Sequence, residues 1–351
     1  MDNPKISVLI PLYNGKKYAA QCVDSALNQT FQEDYEIIIR DDFSTDGAYE
    51  FVKERYAKQI SDGKIKLNRN ARNLGESYTV NKLINEATGK YFAVLHNDDL
   101  YLPYALKHLY QVAELYNADV VHGISFADFF DDDENLRSKT FDAVKLKEVT
   151  PVSDNPVDRF NEWFLKRTFW DTQYNLFNRK FMISNEIFNN TNTDTSGDPI
   201  FLSLWWIMLA KVFVKTPVIF YLRRNRRETP LPEEVAAKRI EVLISSEIEM
   251  SREYNKLFQK VDLFRDNEEI QYMIKAHAFT TRHFYRVFHM KIFENGITPK
   301  LLKAVTNAFK KYFGDDYFYP AYIYNYFNVL QFNKSVDQIN FGNNSGLPAS
   351  L

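Results

Sequence analysis

Three short stretches gather the residue types that handle nucleotides, phosphates and metal ions. They are Pro11-Leu12-Tyr13-Asn14, Asp41-Asp42-Phe43-Ser44-Thr45-Asp46-Gly47 and His96-Asn97-Asp98-Asp99. Adjacent carboxylates repel one another unless a cation or hydrogen-bond donors neutralise them. A hard divalent ion does so readily, because Mg²⁺ typically takes one or two carboxylates together with substrate phosphate oxygens. Asp98 and Asp99 are therefore the candidate metal site, and the ion would offset charge developing on a departing diphosphate. A solvated acidic turn capping the next helix, helped by Pro103, is the competing reading of the same pair. Asp42 can accept hydrogen bonds from a base N–H or from ribose hydroxyls, while Ser44, Thr45 and Asp46 satisfy the turn around it.

The elements around these stretches alternate. Ile6–Ile10 is a short β-branched run ending at Pro11, as a buried parallel strand would. Residues 16–29 read as a helix with Ala19, Val23, Ala26 and Leu27 on one face, and Cys22 as a small core residue beside them. Strands follow at 35–40, 64–68 and 91–95, separated by helices at 48–59 and 76–87. Alternation of this kind predicts a parallel sheet covered on both faces. Right-handed crossovers then put every strand's C-terminal end on one edge, where ligands bind in open sheets. All three stretches fall on that edge.

Further along come a helix after Pro103, a strand at 119–125, an acidic loop-rich insert at 126–155, an apolar helix at 199–212 and a strand at 218–222. After Pro230-Leu231-Pro232 the alternation gives way to long helical pattern. The expected division is a catalytic domain at 1–228, a helical domain at 229–339 and a polar tail at 340–351.

At this point the residues resemble a known family. Ile6-Ser7-Val8-Leu9-Ile10-Pro11-Leu12-Tyr13-Asn14 is similar to the opening strand of the family 2 glycosyltransferases, and Ser25-Ala26-Leu27-Asn28-Gln29-Thr30-Phe31 to the end of their first helix. The 41–47 stretch resembles their Asp-Asp-x-Ser-x-Asp-Gly turn. Asn73-Leu74-Gly75, Asn81 and Ala87-Thr88-Gly89-Lys90-Tyr91 resemble the approach to their metal motif. The resemblance implies the GT-A fold, Rossmann-like and α/β with a mostly parallel sheet, followed here by a helical C-terminal domain. It implies that Pro11 and Tyr13 border the nucleoside, that Asp42 holds the base, and that Arg72 reaches the base or the diphosphate. Asp98 and Asp99 would form the metal motif for Mn²⁺ or Mg²⁺, either one being the direct ligand according to register. His96 stands where many relatives carry an acid, which leaves open whether the imidazole ligates the metal.

Inverting transfer to a hydroxyl needs a base near the acceptor. The resemblance points to Asp198, before Pro199 and the helix beyond it, with Gly197 in place of a common Glu and Asp194 in reserve. Read locally, Asp198 fits an N-cap with proline at the first helical position better than a base. Trp205 and Trp206 are candidate acceptor-stacking residues, and at helical spacing they also suit a core. Tyr221, Arg223 and Arg224 resemble a Tyr-x-Arg element, whose arginine can grip a diphosphate bidentately. From 275 to 313 basic and aromatic residues interleave, which suits either attachment to anionic lipid bearing a lipid-linked acceptor or two amphipathic helices packed on the catalytic domain.

Composition bounds the alternatives. The chain has 351 residues, 45% hydrophobic and 26% charged, with a net charge of −2, so no general attraction to nucleic acid is expected. Its single cysteine excludes a disulfide framework. With no signal-peptide pattern and no apolar run of about 18 residues, a cytoplasmic protein is expected, peripheral on the membrane if the basic surface is used. No Gly-x-Gly-x-x-Gly follows the first strand, which argues against a dinucleotide oxidoreductase. The expected activity is metal-dependent, inverting transfer of a sugar from a nucleoside-diphosphate sugar, UDP-linked, to a saccharide hydroxyl in cell-surface polysaccharide, lipopolysaccharide or glycoconjugate synthesis. A non-catalytic sugar- or nucleotide-binding homologue acting as an assembly partner is the alternative, kept open by His96 and Gly197.

Overall fold

The computed structural model describes residues 3–130, 133–140, 146–164, 172–187, 199–225 and 232–275, with 299–300, 303, 307 and 311. In chain order the first half holds β1 (Ile6–Leu12), α1 (Lys16–Leu27), β2 (Tyr35–Asp41), α2 (Ala48–Arg55), α3 (Ala57–Ser61), β3 (Ile65–Arg69), α4 (Glu76–Glu86), β4 (Tyr91–Val94), β5 (Leu100–Tyr101) and α5 (Ala105–Tyr116). There follow β6 (Val120–Gly123), β7 (Ser125–Phe130), β8 (Asp133–Thr140), β9 (Thr150–Val152), α6 (Pro156–Phe164), β10 (Asn175–Asn178), α7 (Arg179–Ser184), α8 (Pro199–Leu209), β11 (Phe213–Thr216), β12 (Tyr221–Arg224), α9 (Glu233–Lys260) and α10 (Asp262–Arg265).

Eight strands form the main sheet in the order β3-β2-β1-β4-β10-β6-β11-β9. β1 is parallel to both β2 and β4, and β2 is parallel to β3. Alternate side chains face opposite ways. One set, including Val8, Ile10, Ile37, Ile39 and Ala93, joins Ala19, Cys22, Val23 and Ala26 of α1 and Leu106 and Leu109 of α5 in a single buried core. Fully burying a Val, Leu or Ile side chain is worth about 1.5–3 kcal/mol, so this face anchors the strands to α1 and α5. Leu9, Ile38 and Val94, of the other parity, are equally buried.

Four features depart from the sequence reading. The stretch expected as a loop-rich insert carries a hairpin, β7 against β8. The strand expected at 119–125 is two strands: β6 stays in the main sheet while β7 enters a second sheet ordered β5-β12-β7-β8. The changeover is at Gly123, where a Cβ would meet the Phe220 ring at 2.5 Å. β10, flanked by amides and silent in the hydrophobic pattern, inserts antiparallel between β4 and β6, with Asn175 Oδ1 and His122 Nδ1 2.8 Å apart. β12 begins later than expected, at Tyr221, and runs parallel to β7 and antiparallel to β5.

The chain divides into two compact units: residues 1–228 with 249–275, and residues 229–248 with 276–351. Helix α9 runs through the division. In the second unit Lys300 pairs with Glu234 at 3.3 Å and Lys311 with Glu241 at 2.8 Å, so two lysines of the basic stretch have acidic partners. Most of 275–313 lies outside the described residues. Among those described, no helix is long and apolar enough to cross a membrane.

Candidate active site

Strand register brings the three chemical stretches together. Leu12 pairs with Asp41 and Leu9 with Val94, so β1, β2 and β4 end side by side. Pro11, which has no N–H, lies where β1 has already outrun β4. Side chains then latch the turns. Asn14 N–H donates to Ser44 Oγ at 2.9 Å, Thr45 N–H to Asn14 Oδ1 at 2.9 Å, and Lys16 N–H to Asp46 Oδ2 at 2.9 Å. Asn14 (φ 46°) and Phe43 (φ 62°) sit in the left-handed region, the latter a strained place for an aromatic residue. The Asn97 amide donates to the Tyr13 carbonyl at 3.3 Å, tying the third turn to the first.

Asp42 is buried, at 3% exposure, and its carboxylate organises a further loop. Oδ1 accepts from Asn70 Nδ2 and Leu74 N–H, and Oδ2 from Gly75 N–H, each at 2.8 Å. These three donors leave one of the roughly four acceptor directions of a carboxylate. Asn70 also donates to Thr79 Oγ1 at 3.0 Å, fixing the loop against α4. Tyr13 is exposed beside this arrangement and Arg72 lies exposed within the loop. Asn70 was missed from sequence because nothing local marks an asparagine as the partner of an aspartate 28 positions earlier.

The acidic pair splits into two environments. Asp99 is buried, its Oδ2 accepting from the Tyr221 hydroxyl and its Oδ1 from Arg224 N–H, both at 2.7 Å. Burial first, and then the neighbouring Asp98 charge, push its carboxyl up to about 6, against the pull of His96 and the two hydrogen bonds. Asp98 is half-buried, and its carbonyl accepts from Arg224 Nε at 2.8 Å. The Arg224 guanidinium lies between the Tyr18 and Phe129 rings, 4.5 and 4.4 Å from their centroids. His96 Nε2 faces Glu76 Oε1 at 3.2 Å, and the His96 carbonyl accepts from Cys22 Sγ at 3.3 Å. Cys22 is wholly buried, and burial above all raises its thiol, so it packs and does not attack.

The residue types at His96, Asp98 and Asp99 are ones that a divalent cation accepts together with diphosphate oxygens and water. Among the described residues no three His, Cys, Asp or Glu side chains come together as a metal site.

Trp206 is buried against Phe177, ring centroids 4.9 Å apart, and Trp205 is buried beneath the Lys260 ammonium, 5.2 Å from its ring. Core packing accounts for both indoles. Arg223 grips Asp128 with two hydrogen bonds of 2.8 and 3.1 Å, the bidentate geometry expected towards a diphosphate. Asp198, with Asp194 and Gly197, lies outside the described residues.

The sequence profile described as glycosyl transferase family 2 matches residues 7–189. An uncharacterized glycosyltransferase of Methanocaldococcus jannaschii is 35% identical over 151 residues, covering 42% of this chain and 51% of that one. The glycosyltransferase GlyG of Streptococcus pneumoniae is 26% identical over 227 residues, 63% of this chain and 71% of its own. A poly(ribitol-phosphate) beta-glucosyltransferase of Bacillus spizizenii is 27% identical over 218 residues, 62% of this chain and 32% of its own. The chain thus spans about half the length of the archaeal relative and a third of the Bacillus enzyme. Among solved structures, S. aureus TarS 1-349 in complex with UDP-GlcNAc shares the fold, with a TM-score of 0.58 at 18% identity over 88% of this chain and 81% of that one. With the profile match spanning more than half of the chain and the strand-end motifs in register, the protein belongs to glycosyl transferase family 2.

Proposed function

We propose that the protein transfers a sugar from a UDP-linked donor to a saccharide hydroxyl, with inversion, in the synthesis of a cell-surface polysaccharide or glycoconjugate. The observation that carries this reading is the latching of three strand-end turns on one sheet edge, with Asp42 at one end and Asp98-Asp99 at the other. The UDP-GlcNAc complex of TarS and the beta-glucosyltransferase activity named for the Bacillus relative support the donor class.

Asp42, with Asn70 and the 70–75 loop, holds the base, while Pro11 and Tyr13 border the nucleoside and Arg72 reaches over it. A divalent cation, Mn²⁺ or Mg²⁺, would be held at the Asp98-Asp99 turn and would offset the charge of the departing diphosphate. Asp98 is the carboxylate best suited to ligate it directly, because both Asp99 oxygens already accept hydrogen bonds. Asp198 takes the proton of the acceptor hydroxyl as its oxygen bonds to the anomeric carbon, and the bond from that carbon to the diphosphate breaks. The 275–313 stretch is the proposed contact with a lipid-linked acceptor at the cytoplasmic face of a membrane.

The first test is thermal stabilisation by UDP, GDP, TDP, CMP and NAD, each with and without Mn²⁺. A ligand at 100 times its Kd stabilises by about 2.7 kcal/mol. A Mn²⁺-dependent shift with UDP that disappears in Asp98→Ala is expected. No shift with any nucleotide overturns the donor site. Asp198→Asn should retain UDP binding and lose transfer, and an unchanged transfer rate would remove Asp198 from the mechanism.

A further inference from the structure

A nucleoside diphosphate is read in a fixed order: base, ribose, diphosphate. The site has a carboxylate for the first and a pair for the last, Asp42 and Asp98-Asp99. Glu76 is a third carboxylate near both, which none of these roles uses. Its chain neighbour Gly75 donates its N–H to Asp42 Oδ2 at 2.8 Å. Its own carboxylate lies 3.2 Å from His96 Nε2, two residues before Asp98. Glu76 thus follows in sequence a residue bound to Asp42 and meets in space the residue two before Asp98, so it links the two ends of the site.

Its position is tightly set. The preceding loop is held at Leu74 N–H and Gly75 N–H by Asp42, and the turn at Gly75 has φ 86°, open to glycine. Glu76 is then the first residue of α4. The side chain is 41% exposed, and beyond the His96 contact through Oε1 it makes no other interaction among the described residues. A half-exposed pair of this kind adds little to stability, so packing does not explain its geometry. A carboxylate with one oxygen tethered and the other open is, however, the group that accepts from ribose hydroxyls in nucleotide sites.

Resting on the UDP-donor reading above, we propose that Glu76, steered by His96, is the ribose-recognising carboxylate of this site, accepting hydrogen bonds from the 2′- and 3′-hydroxyls. The test is titration of the full chain with UDP, 2′-deoxy-UDP and 3′-deoxy-UDP in the presence of Mn²⁺. The wild type is expected to prefer UDP over at least one deoxy form by about tenfold, the size of a charge-assisted hydrogen bond. Glu76→Ala should lower UDP affinity by a similar factor and bring the nucleotides to equal affinity. Glu76→Gln, which keeps shape and an acceptor oxygen but not the charge, should restore part of the preference. Equal weakening of all three nucleotides in Glu76→Ala, with the preference intact, overturns the proposal, as does a wild type that binds UDP without preference. Failure of the wild type to bind UDP at all overturns the donor-site reading itself and this inference with it. Because the readout is a ratio between ligands, a general loss of stability does not imitate the expected result.

Discussion

The Tyr221 hydroxyl donates to Asp99 Oδ2 at 2.7 Å across 122 residues of sequence, and the His96 N–H donates to the same hydroxyl at 3.3 Å. A strand of the small second sheet thereby braces the turn that carries the acidic pair. Tyr221 is itself wedged edge-on against Tyr101 and Tyr174, with ring centroids 5.6 and 5.1 Å away. Tyr221→Phe keeps that packing and removes the donor, leaving a buried carboxylate oxygen short of a partner. The expected loss is about 1–3 kcal/mol of stability in urea unfolding, with transfer activity falling further than UDP affinity. An unchanged unfolding midpoint would show that the bond carries no weight.

The raised Asp99 carboxyl predicts how stability varies with pH. Its folded value, about 6, lies above its ordinary value, so the folded state holds the proton more tightly. The contribution is therefore most favourable below about pH 4 and is lost as pH rises through 6. Glu36 acts oppositely. Burial alone would raise it, but Lys66, Ser7 and Thr88 together hold it below its usual range, so its contribution is lost on acidification. Comparing wild type with Asp99→Asn isolates the first effect. The variant should gain relative stability, by at most about 3 kcal/mol, as pH goes from 4 to 7. Mn²⁺ with UDP should narrow the difference above pH 6, and parallel pH profiles would refute the assignment.

Asp42→Asn exchanges an acceptor oxygen for an amide that faces N–H donors. Of Asn70, Leu74 and Gly75, at least one loses its acceptor. The loop before α4 should loosen, measured as faster amide exchange at Leu74 and Gly75. UDP affinity should drop at least tenfold, with global stability reduced by about 1–3 kcal/mol. Protected amides with weakened UDP binding would assign Asp42 to the ligand alone.

Lys215 and Glu162 form an ion pair with exposures of only 3% and 6%. Removing the lysine takes from the buried Glu162 carboxylate one of its charged partners, so Lys215→Met should destabilise by about 3–5 kcal/mol. The double variant Lys215→Met/Glu162→Leu should recover most of that loss. A double variant as unstable as the single one would mean that the pair is replaceable by nothing apolar.

The order of β1, α1, β2, α2, β3, α4 and β4 was legible because the parallel strands are buried on both faces and read as apolar runs punctuated by helical periodicity. For the same reason the sequence alone marked Pro11–Asn14, 41–47 and 96–99 as one edge: in a right-handed parallel sheet, strand direction dictates where strand ends lie. It was blind to β10, whose cross-strand His122–Asn175 pair is polar, and to the hairpin of β7 and β8, whose acidic composition imitates a loop. Only the tertiary structure decided which acid of the pair is braced by Tyr221 and Arg224, that Asp42 gathers Asn70 and Gly75, and that Glu76 meets His96. Apolar periodicity is a local property, repeated along the chain and readable from it. A hydrogen bond between Tyr221 and Asp99 is one pairing among many of equal chemistry, and only the packed sheets select it.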